Sequence, residues 1–161
     1  MRWNQLLRQP CRGFTLIELL IVVVITGVLG TIMVQSFSTV HGRMGVRAAE
    51  SNFLSYHSQA RAYAVERAEP VALMVDAGSG QVWIQVGCAA GGGDVLQRLD
   101  FGSEFAVDVE APGNPLRLCF TPRGVAQPSM GTVTSPVRVE FRRGGRASGV
   151  QLLPLGQARS S

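Results

Sequence analysis

One stretch limits what this chain can become. Residues 14–34 run through 21 positions with a single charge, Glu18, and from residue 19 onward with none. As a helix they reach about 31 Å, the hydrocarbon thickness of a bilayer. Glu18 sits one turn inside that helix. A carboxylate in such a place is costly to bury, so it marks a function and requires a cation as partner.

Three uses of the stretch compete. A cleaved secretory signal fits the basic residues Arg2, Arg8 and Arg12 ahead of an apolar core, but the core is long, carries an acid near its start and is followed by no A-x-A site. A plain transmembrane anchor fits the length and leaves Glu18 and the Gly13-Phe14 pair unexplained. The third use rests on the hexapeptide Gly13-Phe14-Thr15-Leu16-Ile17-Glu18. It closely resembles the class III signal of type IV pilins and of the pseudopilins of type II secretion, and the resemblance covers the first 34 residues.

That resemblance implies roles residue by residue. Prepilin peptidase would cut between Gly13 and Phe14 and methylate the new amine of Phe14. Glu18 would pair with the free amine of a neighbouring subunit in a filament. Residues 14–68 contain no proline, whereas many pilins kink this helix with one. Gly27 and Gly30 are therefore the weak points of the apolar half, or close-packing positions between helices.

Charge is unevenly distributed. All 15 basic residues are arginine. Residues 1–13 hold three arginines and no acid, residues 14–116 five arginines against ten acids, and residues 117–161 seven arginines against one acid. Such asymmetry hints at an anionic partner. Positive charge before the first helix favours a cytoplasmic N-terminus, with the bulk of the chain across the inner membrane, in the periplasm. Cys11 leaves with a cleaved leader. Cys88 and Cys119 remain in a compartment that permits disulfides, either bonded to each other or as two separate thiols. Their spacing, with only two histidines in the chain, does not match a zinc site.

Beyond residue 34, Ala49, Phe53, Tyr56, Ala60 and Tyr63 recur at helical spacing and predict one apolar face. Gly42 and Gly45 suggest a bend, and Pro70 ends the pattern, so the helix is expected to stop near Ala68. From Pro70 the period changes to two. Strands are expected over residues 71–75 and 81–86 as a hairpin, then 95–101, 105–109, 116–120, 136–141 and 149–153. The glycine-rich segment 87–94 lacks the features of a phosphate-binding loop. The expected organisation is a leader (1–13), a transmembrane half-helix (14–34), an amphipathic half-helix (35–68) and a β-rich head (69–161). The fold class is α+β, a long helix packed on antiparallel sheets.

The hairpin, the strand-turn Leu118-Cys119-Phe120-Thr121-Pro122-Arg123-Gly124 and the closing strand into Gly144-Gly145-Arg146 are similar to the GspH/FimT group of minor pilins and pseudopilins. The most specific piece is Phe120, Pro122 and Gly124. The resemblance implies a low-copy subunit that helps prime or cap a pilus or pseudopilus. Some pilus members bind DNA through a C-terminal Gly-Arg-x-Arg motif. This chain has Gly145-Arg146-Ala147-Ser148, without the second arginine. Arg138, Arg142, Arg143 and Arg146 are expected on the exposed face and exit of one strand, with Arg117 and Arg123 near, as a surface for DNA or a pilin partner. Strand alternation puts Phe141 on the other face, so no aromatic residue stands among these arginines to stack on bases. His41 and His57 read as packing or surface residues. No nucleophile elbow, cofactor motif or EF-hand loop stands in the sequence, so neither catalysis nor a metal nor a cofactor is expected.

Overall fold

The computed structural model describes residues 13–89, 92–131 and 133–161, with the side chains of residues 32–41 outside that description. The expectations for Arg2, Arg8, Cys11 and Arg12 fall outside it too. The chain forms two compact units, residues 1–39 and 40–161. Helix α1, Leu16–Arg67, runs through both. It stops because Ala68 takes a left-handed conformation (φ 54°) and Pro70 follows two residues on.

In the first unit the described apolar side chains of α1 are exposed along their whole length, Leu16 at 84% and Leu29 at 54% among them. Among the described residues no helix is long and apolar enough to cross a membrane. The described side chains stop at Thr31, inside the charge-free run that continues to Val34.

In the second unit the remainder of α1 packs on two antiparallel sheets. One has the order β3-β2-β1-β5, built from β1 (Val71–Asp76), β2 (Gln81–Val86), β3 (Val95–Asp100) and β5 (Leu116–Phe120). The other has the order β4-β6-β7-β8, from β4 (Asp108–Glu110), β6 (Val137–Arg143), β7 (Arg146–Leu152) and β8 (Ala158–Ser160). The alternation of β1 and β6 sends Val71, Leu73 and Val75, and Val139 and Phe141, into one core with α1. The predicted stripe is buried at Ala49, Phe53, Tyr56 and Ala60, extended by Val46 and Ala64, while Tyr63 is half-buried at its margin. Phe53 meets Phe141 of the second sheet at 5.6 Å, and His57 meets Phe120 of the first edge-on at 5.3 Å.

Several elements differ from the sequence expectation. Residues 101–105 form a short helix, α2 (Phe101–Phe105), and not the continuation of a strand. Asp100 caps it by accepting from the Ser103 N–H at 3.0 Å, and Phe101 stacks on Phe141 at 5.5 Å. The last strands form a hairpin, with Arg143 opposite Arg146. Its two-residue turn, Gly144-Gly145, has φ 54° and 77°. Such a turn needs positive φ at both positions, which glycine adopts without strain. Strand β8 and a 3₁₀ turn at Pro128–Met130 were not anticipated.

His57 is buried at 7% exposure, and its Nε2 has no hydrogen-bond partner. Burial pulls its pKa from 6.5 down to about 4; a hydrogen bond with the Gly156 backbone opposes the fall and the Arg61 charge adds to it. The unfolded chain therefore takes up a proton near pH 6.5 that the folded chain refuses until about pH 4. The linked stability is fully present above pH 6.5 and is lost as pH falls toward 4, in total roughly 3 kcal/mol. Unfolding of the detergent-solubilised chain followed from pH 7 to pH 5 is expected to show this loss, and His57→Leu to flatten it. Parallel pH profiles for the two proteins would contradict the assignment.

Candidate functional site

Local chemistry at the start of α1 centres on Glu18. The Thr15 N–H donates to Glu18 Oε2 at 3.5 Å, and the Glu18 N–H donates to Thr15 Oγ1 at 3.3 Å. This reciprocal pair is a capping box, which satisfies two of the donors a helix start leaves unpaired. The Thr-x-x-Glu spacing before an apolar run is its sequence signature. Gly13 and Phe14 precede the helix in non-helical conformation, both exposed, Phe14 at 82%. The peptide bond between them is thus outside regular structure.

The four arginines of the predicted cluster are not brought together. Alternation along β6 divides them. Arg138 and Arg142 lie on the face away from α1, together with Glu140. Arg138 pairs with Glu140 at 2.8 Å, Arg142 with Glu140 at 2.9 Å, and Arg142 with Glu110 of the neighbouring strand at 3.0 Å. These surface pairs form a ladder in which two acids offset two arginines. Arg143 and Arg146 face α1 instead. Arg143 donates to the Phe105 carbonyl at 3.0 Å, where α2 ends and Ala106 turns left-handed (φ 52°). Arg117 and Arg123 belong to the other sheet and the turn that leaves it.

The inward Arg143 and the Phe105 carbonyl explain one glycine of α1. A Cβ on Gly45 would stand 2.7 Å from Arg143 Nη1 and 2.8 Å from the Phe105 carbonyl oxygen. On Gly42 it would meet only Arg146 Nη1, at 3.2 Å. Gly45 is thus a close-approach position within the helix.

Cys88, just after β2, is joined to Cys119 of β5, with Cα atoms 5.7 Å apart. The bond crosses β1, which pairs with both strands. Cys119 is fully buried, on the sheet face opposite Leu118 and Phe120. The Phe-x-Pro-x-Gly turn folds on itself: the Gly124 N–H donates to the Thr121 carbonyl at 2.8 Å and the Thr121 N–H to the Val125 carbonyl at 2.9 Å. Gly124 has φ 71°, and a Cβ there would stand 3.0 Å from Val65 Cγ2 and 3.2 Å from Arg61 Nε.

A model of the prokaryotic N-terminal methylation motif matches residues 8–34. The model described as type II transport protein GspH matches residues 51–156, more than half of the chain. The chain belongs to the GspH family. Two crystal forms of the type IV minor pilin FimU from Pseudomonas aeruginosa (strain PAO1) are similar in structure, each at 14% identity. They give TM-scores of 0.56 and 0.52 and cover 74% and 71% of this chain and 90% and 91% of FimU. A likeness at that identity establishes the pilin-like fold, a long helix with antiparallel sheets. A comparison with curated proteins finds no match. The family is one of structural pilin-like subunits.

Two measurements check this geometry. Reducing the Cys88–Cys119 bond, whose cysteines are 31 positions apart, is expected to cost about 3–4 kcal/mol in denaturant unfolding; an unchanged midpoint would contradict the linkage. Gly45→Ala is expected to destabilise the chain by about 1–3 kcal/mol, since a backbone carbonyl has to shift. Gly42→Ala meets only a movable side-chain tip and is expected to be neutral or stabilising by up to about 1 kcal/mol. Equal behaviour of the two variants would refute the close approach at Gly45.

Proposed function

We propose that this chain is a minor subunit of a type IV pilus, cleaved by prepilin peptidase between Gly13 and Phe14 and methylated on the new Phe14 amine. Residues 14–34 hold it in the inner membrane, with the head in the periplasm. Glu18 pairs with the amine of a neighbouring subunit when the chain enters the filament. The observation that carries the proposal is the order within one chain: the methylation motif over residues 8–34, α1 running unbroken over Leu16–Arg67, and the GspH region over residues 51–156. The chemistry supports it. The only charge of the apolar segment lies four residues from the proposed new amine, and a buried carboxylate is tolerable where a cation meets it.

A second reading is a minor pseudopilin of type II protein secretion, favoured by the family's own description as a type II transport protein. The major subunit recovered with the chain after crosslinking in cells separates the two: a major pilin for the first, a major secretion pseudopilin for the second. A membrane-tethered DNA receptor would need a continuous cationic surface. The ladder Arg138–Glu140–Arg142–Glu110 and the inward Arg143 and Arg146 do not supply one, so the proposal includes no DNA-binding step.

The filament reading makes a sharp demand on Glu18. Glu18→Ala is expected to be cleaved after Gly13 as usual, yet to be recovered in sheared filaments at a tenth or less of the wild-type amount. Wild-type incorporation of the variant would remove the basis for assembly through Glu18.

A further inference from the structure

Beyond residue 31, few large apolar side chains of the described residues are exposed, and three of them converge. Val65 (54% exposed) comes from the last turn of α1, Val125 (45%) from the turn after β5, and Leu155 (66%) from the turn before β8. Their segments touch. A Cβ on Gly124 would contact Val65, and the Ala126 N–H donates to the Leu155 carbonyl at 3.3 Å. Beside Val125 the turn after β5 borders an open cavity of about 510 Å³, lined in part by Pro122, Arg123 and Ala126. Gly156 (φ 85°) lies close to Ala126 and Phe120, and a Cβ there would stand 2.8 Å and 2.9 Å from them.

Two arginines border this patch. Arg123 lines the cavity and Arg61 lies over Gly124. Glu66, the residue after Val65, is about 100° further round the helix. A cluster of exposed apolar groups rimmed by cations fits an occupant that brings apolar side chains together with carboxylates. A subunit in a helical filament contacts its neighbours through unlike, complementary surfaces. We infer that the Val65–Val125–Leu155 patch, with Arg61 and Arg123, is a docking face for an acidic, apolar segment on the head of another filament subunit. The inference rests on the filament-subunit reading and adds a head-to-head contact to the one through the N-terminal helix.

The test uses the full chain in cells. A photo-crosslinking amino acid replaces Val125, and in a separate variant Val24 of the N-terminal helix, with captured peptides identified by mass spectrometry. Expected is capture at Val125 of an Asp- or Glu-containing head peptide from a subunit that carries its own N-terminal methylation motif. Adding Arg61→Glu and Arg123→Glu should lower that yield about tenfold, a change of about 1.4 kcal/mol, and leave capture at Val24 unchanged. Capture of filament subunits at Val24 with none at Val125 would overturn this inference alone, as would capture at Val125 of a peptide without acids or a yield indifferent to charge reversal. Absence of any filament subunit at both positions would instead overturn the filament reading.

Discussion

A single helix has to satisfy two unlike surroundings, and the rest of the molecule follows from how it does so. The part of α1 up to residue 31 exposes apolar side chains all round. The part from Val46 to Ala64 has an apolar stripe that both sheets cover. The Phe53–Phe141 and His57–Phe120 contacts tie the helix to one sheet each. Truncating a side chain such as Phe53 in a core of this kind costs about 3–5 kcal/mol. The unburied stretch is not stabilised in the same way, because none of the described residues covers it. Its apolar surface is far larger than a soluble head tolerates as a patch, and the proposed function assigns it a bilayer and neighbouring helices as surroundings.

Arginine placement follows the same packing logic. The strand period of two divides a sequence cluster between two faces. Outward, Arg138 and Arg142 are offset by Glu140 and Glu110. Inward, Arg143 satisfies a helix-ending carbonyl and lies against a glycine of α1. The four arginines of β6 and β7 therefore do not form one positive surface. The cations left beside exposed apolar side chains, Arg61 and Arg123, lie at the other end of the helical stripe, where the Phe-x-Pro-x-Gly turn folds against α1.

Much of this was legible in the sequence, for identifiable reasons. The 3.6-residue spacing from Ala49 to Ala60 and the hairpin around residues 76–81 are local signals, and both elements stand where those signals put them. The end of α1 was set by Pro70. What escaped was information carried by caps and turns. Asp100 with Ser103 marks a helix start that the apolar residues around Phe101 and Phe105 disguise as strand. Gly144-Gly145 between two β-rich runs marks a hairpin, and without it Arg146 is misread as an exit from a strand. Thr15 with Glu18 marks a capping box, a local signal hidden behind the larger one of a lone acid in an apolar run. Gly45 was beyond reach of any local signal, because its neighbour Phe105 is brought to it only by the fold.

The claim on which the account turns is that the chain is processed at Gly13-Phe14 and then acts through its new N-terminus. Mass spectrometry of the N-terminal peptide from protein isolated from its own cells tests that directly. The account predicts a peptide that begins at Phe14 with one added methyl group on its α-amine. A peptide that begins at Met1, or at any residue inside the apolar segment, would contradict it.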